Sequence, residues 1–539
     1  MNNTDFNNTY IGLTIGPIFK TINYAKETGE LWGSSYMFSY IIKNIISKLI
    51  VDTSIKDRFI VPYVNEEEIF KDKTEVGLFH DRFIFKSNKG DFKKVSLAVG
   101  EVKNCFKENV FKELEKIRKE EISKDIVYKY IDDYLKIYFL EVEVNPNDEN
   151  EDNKNIILKV SKYLDALELR ENFVDKEEKP YLFEILKNKS VKSSFLSEDA
   201  YGQEGKKEGY PSLINIALAS LKDKKLPMED SKIIDYINEN YKEYNFKKVH
   251  EYVALVQADG DSIREVIKEL EIDKSKSDEF ESYKRFSKNL LKYAQYANSK
   301  IKEYGGFSIF AGGDDLLFIA PVINKDKNIF SLINDLSDHF NINIKENEKS
   351  PTASFGVAII HHKFPLYYAI EEARSLLSEA KKFETINEKK NAIAFKIIKS
   401  SGESFKTVIG KNSFVYKEKF NLLISKTFQA DKDEKLNNYL KSIHIKLWND
   451  KAIINKIGVN KDMLKNYFQN NFNDEIHKNS KVKEYINIII EFIHTVYSSD
   501  EKVKNDDESY YINLIYSCLK FVRFMDEKSE FIKEKGDKE

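Results

Sequence analysis

The sequence predicts an α+β protein whose informative third is a ferredoxin-like unit, set between regions that read as helical. Three observations carry this. Between Glu251 and Ser400 short apolar runs alternate with amphipathic helices, whereas the flanking stretches Ile156 to Asn245 and Ser401 to Phe531 show helical spacing alone. At 539 residues the chain is also too long for one hydrophobic core, so several domains are expected.

Taken in order, the polar, acidic stretch Asn145 to Asn155 (NPNDENEDNKN) has no hydrophobic period and reads as a linker closing a first domain near residue 145. After it, Ile157, Val160, Tyr163, Leu164 and Leu167 recur at helical spacing, and the Gly- and Lys-rich run Gly202 to Gly209 reads as a loop within this helical insert. Tyr252 to Ala258 (YVALVQA) is almost wholly apolar, as expected of a strand buried on both faces. Phe286, Leu290, Ala294, Ala297 and Ile301 form one helical face that Gly305-Gly306 should terminate. Phe307 to Pro321 (FSIFAGGDDLLFIAP) reads as a hairpin, Phe330 to Phe340 as a helix and Ala353 to Ile360 as a strand. The regular spacing Leu366, Ala369, Ile370, Ala373, Leu377, Ala380 gives another helix, and Ala392 to Ile398 a last strand. That order, β-α-β-hairpin-β-α-β, is a ferredoxin-like arrangement. The expected domains are 1–145, 146–245, 246–400 and 401–539.

Bulk composition narrows the function classes. Lys plus Arg total 86 against 89 Asp plus Glu, a net charge of −3, so the chain lacks the field of a stand-alone nucleic-acid binder. Only Cys105 and Cys518 are present, which excludes a four-cysteine zinc site within the chain and fits a reducing cytoplasm. The opening residues lack a basic then apolar leader, and the most apolar windows, Ile41 to Val51 and Ile486 to Val496, are short and interrupted by charge, so no membrane association is expected.

The chemistry concentrates at two acidic elements. Gly312, Gly313, Asp314 and Asp315 join two apolar strands; glycines allow a tight turn and close phosphate approach, and adjacent carboxylates are hard oxygen ligands for a divalent cation. An ordinary surface turn would use the same residue types. Asp259-Gly260-Asp261 ends the preceding buried strand, which neighbours the hairpin in a ferredoxin-like sheet; alone it would also serve as a helix N-cap. Gathering carboxylates is costly without cations, and phosphoryl transfer uses two of them, so Asp259, Asp314 and Asp315 are the candidate catalytic residues and, with Gly260, the candidate metal site. Lys381 and Lys382 end a helix, where they either complement its dipole or bind a triphosphate.

With the GGDD tetrapeptide in place, the chain resembles the large subunit of type III CRISPR effector complexes, the CRISPR polymerase, in its Cmr (III-B) form. The similarity runs through TIGPIFK, GELWGSSYMFSYI (Gly29 to Ile41), GLFHDRF (Gly77 to Phe83), YPSLINIA (Tyr210 to Ala217), LVQADGDSIREV (Leu255 to Val266), SFGVAIIHHKFPL (Ser354 to Leu366) and EARSLLSEAKK (Glu372 to Lys382), about residues 8 to 400. The resemblance implies two polymerase palms, a degenerate one in 1–145 and a catalytic one in 246–400. It implies a nucleotidyltransferase that target RNA activates to link ATP through 3′–5′ bonds into cyclic oligoadenylate, or to attach AMP to another metabolite. Asp259 and Asp315 would hold two divalent ions, Mg2+ or Mn2+, and Asp314 would assist. Gly312 and Gly313 would admit phosphates, Asp261 would join the nucleotide-binding set, Lys381 would hold the triphosphate, and Ser34 and Ser35 of the first palm would contact an acceptor ATP. Partners would be the other subunits of a III-B complex and, through them, guide and target RNA. A non-catalytic scaffold and a GGDEF-type cyclase are the competing readings; the latter normally carries Glu-Phe where this chain has Asp315-Leu316.

Two departures from the family pattern set further expectations. Palm-like sequence begins almost at once, which implies a variant without the HD nuclease domain, and His80-Asp81 in a strand-like run is read as structural. The cysteine count leaves no structural zinc module.

Overall fold

The structure, a computed structural model, describes the chain from Asn8 to Glu527 except residues 66–69, 71–72, 80, 170–180, 206–208, 222–232, 234, 237–238, 240–245, 274, 346–349, 414, 430–442, 472–479, 499–502 and 504–507. His80 therefore lies outside the described residues.

Two sheets organise the fold. In the first half, β1 (Thr9–Gly16) leads through α1 (Ile18–Ile22) and the long α2 (Thr28–Leu49) to β2 (Phe59–Val61) and β3 (Arg82–Lys86), then through α3 (Asp91–Ile117) to β4 (Lys136–Glu143). The strand order is β2-β3-β1-β4 with every pair antiparallel. Helix α4 (Ile156–Glu168), from the helical insert, crosses β1 at Gly12, where a Cβ would stand 2.4 Å from Val160 Cγ1; a glycine is what lets the helix seat this closely.

The second sheet repeats that plan. β5 (Tyr252–Asp261) runs on past the apolar stretch to its terminal acids, α5 (Glu281–Glu303) follows, and β6 (Phe307–Gly312) and β7 (Asp315–Pro321) form the expected hairpin. Gly305 takes φ +84 just after α5; its N–H reaches Lys302 O at 2.9 Å and the Gly306 N–H reaches Ile301 O at 2.8 Å, the paired bonds of a Schellman stop. Helix α6 (Ile329–Asn343), β8 (Thr352–His361), α7 (Leu366–Lys382), β9 (Ala392–Ile398) and β10 (Ser404–Gly410) complete the unit. The order is β10-β9-β8-β5-β7-β6, with β5 paired antiparallel to both β7 and β8. Helix α7 lies so close to β8 that a Cβ on Gly356 would be 2.2 Å from Ala373 O.

One stretch departs from the helical reading beyond Ser401. Ser404 to Gly410 (SFKTVIG) is a strand antiparallel to β9, because Phe405, Thr407 and Ile409 alternate inward with a period of two. The second sheet therefore continues past residue 400. The region after it is mostly helical where described, ending in α8 (Ser480–Ser498) and α9 (Glu508–Asp526), with Val503 between them bridged antiparallel to Thr385. Helix α9 borders β10, with Tyr510 Oη donating to Val408 O at 3.0 Å and Ser517 Oγ to Lys406 O at 3.1 Å, which occupies a sheet edge that would otherwise be open.

The two sheets are joined beside the hairpin. The chain between β2 and β3 bridges Gly77 to Phe310 of β6, and the Ala311 N–H donates to Gly77 O at 3.4 Å. Among the described residues no helix is long and apolar enough to cross a membrane. Cys105 is exposed and Cys518 buried, and neither forms a disulfide.

Candidate active site between the two sheets

The β6–β7 hairpin has the two-residue loop Gly313-Asp314, closed by the Gly312–Asp315 pair. Gly313 takes φ +71 while Asp314 stays at negative φ, a pattern in which glycine is needed at the leading position only. Gly312 answers a different demand, since a Cβ there would lie 2.2 Å from the Phe310 ring.

β5 delivers the second acidic element against this tip. A Cβ built on Gly260 would stand 2.9 Å from both Cβ and Oδ2 of Asp314, so the glycine of Asp259-Gly260-Asp261 is what allows the two acidic segments to touch. Burial, and next the Asp314 charge, push the phenol of Tyr293 on α5 well above its ordinary value, which places the carboxylate near that helix as well. Asp259 and Asp315 both line a cavity of about 1020 Å³ between the sheets. Its other wall comes from the first half of the chain: Thr14 to Lys20 of β1 and α1, Asp81, and Lys136 and Tyr138 of β4.

Lys381, at the end of α7, ion-pairs with the Asp259 carboxylate and donates to Gly260 O at 3.0 Å. Its ammonium thus rests on two of the oxygens that a metal ion would use. Among the described residues no group of three or more His, Cys, Asp or Glu is gathered as a ready metal site. The donors nevertheless fit a hard divalent cation, being carboxylate and carbonyl oxygens with a cationic group already resting between two of them.

Three of the candidates stand elsewhere. Asp261 is 1 % exposed and faces into the fold, where its Oδ2 accepts from Ser354 Oγ at 2.8 Å, Thr352 Oγ1 at 3.0 Å and the Asn391 N–H at 3.0 Å. It ties β5 to β8 and to the start of β9, and it is not among the residues that line the cavity. Nearby Lys411 is buried, which pulls its ammonium down to about 8 against the opposing pull of Asp261. Ser34 and Ser35 are 1 % and 4 % exposed within α2, and neither reaches the cavity. Their place follows from the packing of Leu31, Trp32 and Tyr36 around them, all buried.

Several cavity residues escaped sequence reasoning. Arg374 of α7 stacks on Phe19 of α1, its guanidinium carbon 4.6 Å from the ring centre, and Gln257 lies two residues before Asp259 on β5. Phe19 and Arg374 fell within family-like segments, but only the meeting of the two sheets pairs them.

Comparison with known proteins adds a second line. Residues 252–394 match the model of the Cas10/Cmr2 second palm domain, and residues 10–120 that of the CRISPR-associated protein Cmr2 N-terminal domain. The CRISPR system Cmr subunit Cmr2 of Pyrococcus furiosus is 30 % identical over 211 residues, 35 % of this chain; the match spans 23 % of that relative. Among solved structures, a type III-B Cmr-beta complex bound to cognate target RNA aligns over 75 % of this chain and 71 % of that one, with TM-score 0.47 and 13 % identity. A Csm1–Csm4 cassette in complex with cA4 aligns over 91 % and 70 %, with TM-score 0.44 and 11 % identity.

Proposed function

We propose that this chain, which belongs to the Cas10/Cmr2 family through its N-terminal and second palm domains, is the large subunit of a type III-B CRISPR effector complex whose second palm joins ATP molecules into cyclic oligoadenylate or a related AMP-containing messenger. The observation that carries the reading is the contact of Gly260 with Asp314, which sets Asp259 and the Asp314-Asp315 tip together at a cavity large enough for nucleotides.

In this reading Asp259 and Asp315 hold two divalent cations, Mg2+ or Mn2+, with the Gly260 carbonyl and Asp314 assisting. Such ions, when bound, activate a 3′-hydroxyl and shield the triphosphate. Lys381 leaves Asp259 and turns to the phosphates, a short move for a flexible four-carbon stem. Gly312 and Gly313 keep the hairpin free of side chains where phosphates approach. The first palm supplies the opposite wall, with no two-residue acidic hairpin among its described residues, so it binds an acceptor without joining bonds. Guide and target RNA act through partner subunits, as the near-neutral net charge of −3 suggests.

The test is pyrophosphate release by the assembled complex given target RNA, ATP and Mg2+ or Mn2+, with mass spectrometry of the product. Release that persists unchanged in an Asp314→Ala, Asp315→Ala double variant refutes the site. Absence of any release from the intact complex favours a scaffold role, and turnover of GTP in preference to ATP favours a GGDEF-type cyclase.

A further inference from the structure

We propose, on the nucleotide-joining reading above, that Asp261 is a positioning residue for the metal edge: its buried carboxylate fixes the end of β5 and so holds Asp259 and the Gly260 carbonyl where a divalent cation binds. Asp261 follows Asp259 by two residues, about 6.6 Å along the strand and on the same face of β5. Across on β8, Ser354 stands opposite Asp259 and Thr352 opposite Asp261. Both hydroxyls donate to Asp261 Oδ2, which also takes the Asn391 N–H, whereas Oδ1 has no hydrogen-bond partner. Bonds that only solvated a buried charge would spread over both oxygens. Three donors from two separate segments on one oxygen instead fix a point in space.

The backbone around that point is strained. Of the five non-glycine residues at positive φ among the described residues, three flank this carboxylate: Ser262 at +59, Lys390 at +63 and Asn391 at +49. Glycine would take these angles freely, and larger residues are kept there only where the surroundings over-determine the local path, as they do at functional sites. The connection from α7 to β9 shows what that path achieves. At its start Lys381 pairs with the Asp259 carboxylate and donates to Gly260 O at 3.0 Å. The chain then folds back through a Glu384–Lys389 bridge and a bond of 2.7 Å from the Lys390 N–H to Phe383 O, and at its end Asn391 donates to Asp261. One connection therefore grips both aspartates. Once Lys381 turns to the phosphates, Asp261 is the grip that remains on the end of β5.

The experiment titrates Mn2+ into the full-length chain, followed by electron paramagnetic resonance, and measures pyrophosphate release by the assembled complex across Mg2+ concentrations. Two variants are set against native protein: Asp261→Asn, which removes the charge and keeps the shape, and Ser354→Ala with Thr352→Val, which keeps the charge and removes two of its donors. Both should bind Mn2+ about tenfold to a hundredfold more weakly, the usual effect of losing a group that orients a metal ligand. Half-maximal release should need more Mg2+ in proportion, while the KM for ATP at saturating Mg2+ stays within about twofold of native, because the nucleotide contacts are intact. A role in stability alone would lower the melting temperature and leave the Mn2+ affinity of the folded protein unchanged, as expected of Gly12→Ala. Native or tighter Mn2+ binding in the folded Ser354→Ala, Thr352→Val variant, whether or not Asp261→Asn folds, overturns the role of Asp261 and leaves the proposed function standing. Absence of pyrophosphate release from the native complex defeats the proposed function and this inference together.

Discussion

The two palms of this chain share a strand order and differ in the two places where chemistry could sit. β2-β3-β1-β4 and β6-β7-β5-β8 are the same ferredoxin-like arrangement, each with the first strand flanked antiparallel by the third and fourth. In the second palm the hairpin turns on two residues and carries Asp314 and Asp315. In the first, residues 62–81 separate β2 from β3, and part of that stretch bridges to β6 instead of turning tightly. The central strands end differently too, Asp259-Gly260-Asp261 against Gly16-Pro17. A common topology thus supplies a platform twice, and among the described residues the two-residue acidic turn occurs in the second copy, while the first contributes Asp81 to the same cavity.

The largest expected effect breaks the acidic edge itself. Asp314→Ala with Asp315→Ala should lower pyrophosphate release by about 10²–10³-fold or more, the scale of losing a preorganised electrostatic group at the reacting atoms. Melting temperature should fall only slightly, since both side chains are half-buried at the end of the hairpin.

Next comes Lys381→Met. Loss of a charge-assisted hydrogen bond worth about 1.5–3 kcal/mol should weaken nucleotide binding roughly tenfold to a hundredfold. The same change frees the Asp259 carboxylate from its ion pair, so Mn2+ binding without nucleotide, followed by electron paramagnetic resonance, should tighten. Weaker Mn2+ binding in the variant would separate Lys381 from the metal edge.

A matched pair of glycine variants sharpens the contrast. Gly260→Ala drives a methyl into Asp314 and Gly12→Ala drives one into Val160. Each should cost about 1–3 kcal/mol of stability by overpacking. Only Gly260→Ala should also abolish Mn2+ binding, because only there does the displaced neighbour carry a ligand.

The smallest effect is acid sensitivity. Burial pushes the imidazoles of His250, just before β5, and His362, just after β8, down to about 4 from the ordinary 6.5. The folded protein then binds fewer protons than the unfolded chain between these values, so stability present above pH 6.5 falls as pH drops toward 4. Melting curves from pH 7 to 4.5 should show that fall, and His362→Gln should make it shallower. Equal slopes in native and variant protein would mean that this histidine does not couple to folding.

Much of the second palm was legible in sequence because its elements carry local signals. YVALVQA could only be a strand covered on both faces, Gly305-Gly306 could only end a helix, and GGDD between two apolar runs fixed a tight turn. Ser404 to Gly410 was harder, since seven residues with one buried face resemble a short piece of helix until a partner strand shows the period of two. Asp261, Ser34 and Ser35 show the other limit, since their burial is set by neighbouring elements that a local motif does not reveal.

The order of residues alone determined the strand and helix succession, the acidic character of two strand ends and the absence of a cysteine zinc site, because each depends on spacing or count along the chain. Tertiary structure decided which carboxylate faces the cavity and which is bonded inward, that Lys381 rests on Asp259, and that Phe19 meets Arg374 across the palms. Those outcomes depend on which distant segments become neighbours, and distance in space is the quantity that a one-dimensional pattern does not hold.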